Sequence, residues 1–358
     1  MTSITVVRTH EQWSRLQAPW RRLLDEAENS SVFMTWEWLD AWSRYFTDDR
    51  ELQVIVCTEG DDIVAIVPLV GTVRKRAKVE VRTSRLLGSG LSDQLGLLVR
   101  PGREDAMAAV ARCLNDGEIA WDLLEIADLD FADPAARALV SELERAGIGA
   151  RFVESVQCAY VTVASDWESY YAERFGKKTR ASNRRKLRKL AEMGDFRIRW
   201  VSEPDDVVGA LKAIRAMDER SDYQGEERIR PFDSERGQKF FDDFGVSFAN
   251  NGWLLLGLME LDGALVSYSI GFRFKGRHLD FFGGFDPGMF KLSVGRLLMV
   301  ELMRRCYEDG VTEIDYLRGF ETWKEEWTSA SRPNGILTAS NPSAGSRMRV
   351  MAQKIPLG

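Results

Sequence analysis

Trp13, Leu16, Trp20, Leu23 and Leu24 recur at steps of three and four within residues 10–28, which predicts an amphipathic helix. Thr35 offers a hydroxyl cap to a second helix that would bury Trp38, Trp42 and Phe46. The pattern then shortens to strands at 52–56 and 63–70, joined around Glu59-Gly60-Asp61, a hairpin signal. Further strands are expected at 79–87 and 95–99, a helix at 103–114, a strand at 121–126, a helix at 134–146, and one or two strands within 148–163.

Much of this order returns in the second half. A basic helix at 178–193 leads to a strand at 196–201 and helices at 205–220 and 233–250. Strands at 253–259 and 264–272 turn at Asp262-Gly263, and another strand follows at 278–283. After the Asp286-Pro287-Gly288 turn come a helix at 294–309 and a strand at 312–317, and residues 339–358 read as a poorly packed tail. The expectation is an α/β chain with a mixed (α+β) sheet in tandem copies: a domain at 1–165, a second at 166–338 and the tail at 339–358.

Composition narrows the function classes. With 44% hydrophobic residues in 358, ordinary cores can be filled. A net charge of −6 argues against a general nucleic-acid coat protein. No signal-peptide pattern stands at the start, and the apolar stretches are too short to span a bilayer, so a cytoplasmic protein is expected. Cys57, Cys113, Cys158 and Cys306 form no CxxC pair and suit reduced structural thiols. Two histidines, His10 and His278, leave no basis for a His-built metal site or a Ser-His-Asp triad, and no metal is expected.

Three stretches carry a resemblance: Phe281-Phe282-Gly283-Gly284-Phe285-Asp286-Pro287; Ser293-Val294-Gly295-Arg296-Leu297-Leu298; and Asp315-Tyr316-Leu317-Arg318-Gly319-Phe320-Glu321-Thr322-Trp323-Lys324-Glu325-Glu326-Trp327. In this order they resemble the BioF2-like, or CelD-like, branch of the GNAT acetyltransferases, which shares a tandem architecture with the Fem-type aminoacyltransferases. The resemblance is strongest over residues 170–335. It implies tandem GNAT-like domains, the first non-catalytic and walling the acceptor, and acetyl-CoA or another acyl-CoA as co-substrate with an amine acceptor. A splayed strand containing Phe282 and Gly283 would bind the pantetheine amides like an added strand. The following helix start would take the pyrophosphate at Ser293, Val294 and Gly295, with Lys291 and Arg296 adding charge. Ordinary GNATs have a glycine-richer loop here, and an N-capping serine beside a packing glycine is the alternative reading.

The third motif is the richest in charge. Glu321 and Lys324 would share a helical face if residues 320–328 are helical. Glu321 is the expected general base and Asp315 its reserve, while Arg318 and Lys324 would hold the acceptor. The alternative is a salt-bridged helix end. Nine cations and no acid lie at residues 174–189, on either a solvated face or a surface for an anionic acceptor or a membrane, with Arg184 and Arg185 as its contacts. The leading expectation is therefore an N-acyltransferase, an N-acetyltransferase by preference. Its acceptor would be a small-molecule or lipid-linked anion, such as an amino sugar or a precursor in cell-envelope or polysaccharide biosynthesis. It would work in the cytoplasm or at the inner membrane face. The alternatives are a Fem-type transferase using aminoacyl-tRNA, the one nucleic-acid partner kept open, and a non-catalytic binding module of a polysaccharide-synthesis system.

Overall fold

A computed structural model describes all residues except 1, 28–29, 48–49, 77–78, 220–231, 233 and 353–358. In chain order the strands are β1 Ser3–Val7, β2 Arg50–Glu59, β3 Asp62–Arg76, β4 Val79–Leu86, β5 Leu98–Val99, β6 Leu123–Asp130, β7 Ala150–Thr162, β8 Phe196–Val201, β9 Leu254–Leu261, β10 Ala264–Phe274, β11 Arg277–Phe285, β12 Glu313–Arg318 and β13 Ser331–Ser340. The chain divides into two compact units, Met1–Val156 with Pro333–Gly358, and Gln157–Arg332. The division thus falls inside β7, ahead of the boundary expected at 165/166, and the chain's end joins the first unit.

In the first unit the strand order is β1-β2-β3-β4-β6-β13, with β5 against β3. Neighbours are antiparallel except β4 and β6, which are parallel at Thr83↔Leu123 and Ser84↔Leu124. The predicted hairpin forms, with Gly60 at φ 59°, a conformation glycine adopts without a Cβ clash. Thr35 caps helix Trp36–Phe46 by accepting from the Trp38 N–H at 3.4 Å. Indole burial, not helix propensity, holds the N-terminal helices: Trp13 stacks on Trp36 at 4.4 Å, and both cover the buried Trp20.

The tail differs from its expectation. Residues 331–340 form β13, paired with β6, and Ala344–Ala352 is a helix. Asp122 accepts from the Ser346 hydroxyl at 2.7 Å and from Arg349 Nε at 3.0 Å, and Val350 is buried. One acid and one apolar anchor thus seat a helix whose sequence shows no strong amphipathic pattern. Residues 353–358 lie outside the described residues, as do the ends expected for helices at 220 and 233.

The second unit has the order β7-β12-β11-β10-β9-β8. The β9–β10 turn uses Asp262 and Gly263, both left-handed at φ 50° and 75°. This is the turn chemistry an Asp-Gly pair favours in a two-residue hairpin. Helix Glu235–Asn250 turns Phe241, Phe244 and Phe248 onto Phe272 and Phe281. Helix Val294–Glu308 buries Val294, Leu297 and Leu298 against Met259 and Val266. Between β11 and β12 it makes the crossover that a parallel pair needs. Among the described residues no helix is long and apolar enough to cross a membrane.

Candidate active site

The parallel pairing of β11 with β12 covers Arg277↔Glu313, His278↔Ile314 and Leu279↔Asp315, and then stops. A bulge on each strand opens the fork. On β11, Ile270 faces Phe282 but Gly271 faces Asp280, which leaves Phe281 as the extra residue. On β12, Asp315 pairs with Tyr160 and Arg318 with Cys158, so two residues of β12 stand opposite one of β7. Leu317 takes φ 59°, a conformation costing a non-glycine residue roughly 1–2 kcal/mol. Asp315 offsets that cost. Its Oδ1 accepts the Leu317 N–H at 2.8 Å, and its Oδ2 accepts from Arg332, which also donates to Glu313 at 2.8 Å. With both oxygens engaged and no exposure, Asp315 is built as the clamp of the bulge.

Asp280, which the sequence reading passed over, is the first residue beyond the paired part of β11. It is partly buried and accepts from the Ser269 hydroxyl at 3.2 Å. Burial pushes its carboxyl up to about 6, against the pull of the Ser269 hydrogen bond and the Lys324 ammonium. A carboxylate so tuned can take a proton near neutrality. The available signal was a single acid in the apolar run His278 to Phe285. Its neighbour on the strand, His278, is held neutral, its ionisation depressed to about 3 by burial.

At the helix start, Ser293 adopts φ 56° and ψ 43° and makes no side-chain cap. The N-capping alternative therefore does not hold. The hydroxyl meets Lys186 Nζ at 2.7 Å. The opening N–H groups of an α-helix lack intrahelical acceptors and sit at the positive end of the dipole. An ammonium there is electrostatically unfavourable until an anion joins it. Gly295 has a packing role, since a Cβ would lie 3.1 Å from the Phe285 ring. Arg296 reaches Glu326 and lies 5.2 Å over the Phe175 ring, while Lys291 is exposed. On β11, a Cβ at Gly283 would lie 3.1 Å from the Tyr268 carbonyl oxygen, and Phe282 stacks near Tyr268.

The third motif folds as a staple. Only Thr322–Glu325 is helical, with Glu321 at its cap position. The Lys324 side chain is 5% exposed, and its ammonium meets the carbonyls of Arg318 and Gly319 and, at 2.9 Å, the Glu321 carboxylate. Its three donors are thereby used. The Glu321 carboxylate is half-exposed and overlies Gly319, whose φ is 90°. Arg318 is exposed at the end of β12. On the basic helix Lys177–Met193, Asn183 and Leu190 face inward, so Arg184 and Arg185 point to solvent and Lys186 turns toward Ser293.

Residues 177–325 match the family model for the acetyltransferase (GNAT) domain. The second unit is therefore a GNAT-type fold. Among solved structures, FemX is similar at a TM-score of 0.62 and 10% identity, covering 90% of this chain and 95% of that one. The C-terminal domain of a proposed lysylphosphatidylglycerol synthetase from Agrobacterium fabrum aligns with TM-score 0.54 and 13% identity over 94% and 96%. A tandem GNAT protein from the clavulanic acid biosynthesis pathway gives 0.52 and 13% over 96% and 100%. At these identities the likeness is one of fold. No curated protein matches the sequence.

Proposed function

We propose that the chain is an acyl-CoA-dependent N-acyltransferase of the BioF2-like or CelD-like kind, working in its second unit on an amine carried by an anionic acceptor. The observation that carries this reading is the fork between β11 and β12. A tuned carboxylate, Asp280, stands at its opening, and the crossover helix offers unpaired N–H groups beside Lys186. The donor's thioester would lie in the fork, with its pyrophosphate against Val294, Gly295 and Lys186. Asp280 would take a proton from the attacking amine, directly or through water. The N–C bond forms, the C–S bond breaks, and the proton taken by Asp280 passes, directly or through water, to the leaving thiolate, which departs as CoA thiol. In this mechanism Asp280 replaces Glu321 as base, and Glu321, Lys324 and Asp315 position the fork's second strand. Arg318 is the acceptor contact retained from that motif.

The exposed cations Lys177, Lys178, Arg184, Arg185, Arg188 and Lys189 suit a phosphorylated or lipid-linked acceptor at a cytoplasmic membrane face. They equally suit the phosphates of an aminoacyl-tRNA donor, a second reading that the fold shared with FemX keeps in view. Calorimetry of the full chain with acetyl-CoA and with charged tRNA separates the donors. Micromolar acetyl-CoA binding that weakens in Lys186→Ala supports the first. Binding of charged tRNA with none of acetyl-CoA overturns it.

A further inference from the structure

The basic helix Lys177–Met193 runs against its own electrostatics. Lys177, Lys178, Arg184, Arg185, Arg188 and Lys189 are exposed, and their steps of seven and four set them in two adjacent rows on one side. Its 17 residues extend over roughly 25 Å. The other side is committed to the fold: Asn183 donates to the Tyr171 hydroxyl at 2.8 Å, and Leu190 packs with Met259 and Leu297. Lys186, turned toward Ser293, is not part of the stripe.

The fold gains nothing from this charge. Lys177 and Lys178 occupy the first turn, where a cation opposes the helix dipole, and Gly176 supplies no side-chain cap. Arg184 with Arg188, and Arg185 with Lys189, place like charges four residues apart, a destabilising arrangement. Glu192 is the one acid on the helix, and among the described residues none of the six cations forms an ion pair. Their mutual repulsion is relieved when an anionic surface lies along the rows. The stripe carries no exposed Asn, Gln or aromatic residue to read or stack on bases, so it answers charge alone. Apolar groups stand beside it. Met193, 48% exposed, ends the helix, and Phe290 is 71% exposed on the turn Pro287–Leu292. The Phe290 carbonyl accepts the Ser293 N–H at 2.9 Å, and Ser293 in turn meets Lys186, which places this turn beside the middle of the helix. Basic residues flanked by an exposed aromatic suit the interface of an anionic bilayer.

We infer that this helix lies along an anionic membrane surface, held by its two rows of cations and by Phe290 at the interface. The inference rests on the reading above only for an acceptor at a membrane face. The test is co-sedimentation of the full chain with mixed phosphatidylglycerol–phosphatidylcholine vesicles and with phosphatidylcholine vesicles, at low and high salt. Neither donor nor acceptor enters the assay, so its outcome is separate from that of acyl transfer. Wild type should bind the anionic vesicles and not the neutral ones, and more weakly as salt rises. Each cation near such a surface contributes about fivefold in affinity, so Arg184→Gln/Arg188→Gln should bind about twentyfold or more weakly. The same variant should be at least as stable to urea as wild type, since it removes a like-charge pair. Phe290→Ser should lower the binding that persists at high salt. Folding of each variant is verified by circular dichroism. No binding to anionic vesicles, equal binding to both kinds, or unchanged binding in the folded double variant would each overturn the assignment. So would a double variant less stable than wild type, which would give the arginines to the fold, or high-salt binding indifferent to Phe290→Ser. Arginine-dependent binding of polyuridylate without vesicle binding would assign the stripe to nucleic acid and likewise overturn it.

Discussion

Each unit contains a parallel strand pair bridged by a helix, yet the two forks differ in charge. In the first unit the residues just past the paired positions are Arg85 and Glu125, and they close on each other at 3.0 Å. In the second, the corresponding residue on the leading strand is Asp280, whose burial raises its proton affinity. The helix starts differ in the same sense. Glu104 and Asp105 begin the first unit's short 3-10 turn, and Arg103 is spent on Glu59 and Asp105. The second unit's helix has no acid in its first turn and has Lys186 at its door. One backbone plan thus yields a fork closed by an ion pair and a fork with a partly buried carboxylate at its opening and an ammonium beside its helix start.

If this contrast carries function, the largest effect belongs to Asp280. Asp280→Asn should lower turnover by about 10²–10⁴-fold, the usual contribution of a general base, while Glu125→Gln leaves turnover near wild type. Steady-state kinetics on any accepted amine checks this, and equal losses in both variants would erase the contrast. Next comes the staple. Lys324→Met leaves the Arg318 and Gly319 carbonyls without their donor and should cost about 1–3 kcal/mol of stability, read by urea denaturation. Lys186→Ala should weaken acetyl-CoA binding about tenfold through one lost charge-assisted contact, whereas Arg103→Ala should not change it.

The most diagnostic effect is in pH. A partly buried acid whose carboxyl is pushed up to about 6 holds its proton more tightly folded than unfolded. Its cost to stability is absent below the ordinary aspartate range, grows as pH rises through that range, and is complete above about 6. Wild type should therefore lose up to roughly 2–3 kcal/mol between pH 4 and 7 relative to Asp280→Asn, measured by denaturation at each pH. Acyl transfer should rise over the same window as the base ionises.

The elements were legible because their signals are local. The indole spacing, the Asp262-Gly263 turn and the Thr35 cap act within a few residues. β13 and its following helix were not, since their partners are β6 and Asp122, some two hundred positions away. The fork was legible as a strand, turn and helix. Its chemistry was less so: Glu321 and Lys324 do pair, but Lys324 turns inward to carbonyls that only the bulge brings within reach. Lys186 stood in view among nine cations. Following the Asn183, Leu187, Leu190 stripe would have set it apart from Arg184 and Arg185.

The central claim is that the donor binds in the second unit's fork. Amide hydrogen exchange of the full chain with and without acetyl-CoA tests it most directly. The account predicts slowed exchange confined to β11 and the first turns of helix Val294–Glu308, with Met107–Asn115 unchanged. Protection at the first unit's fork, or none in the second at saturating acetyl-CoA, would contradict it.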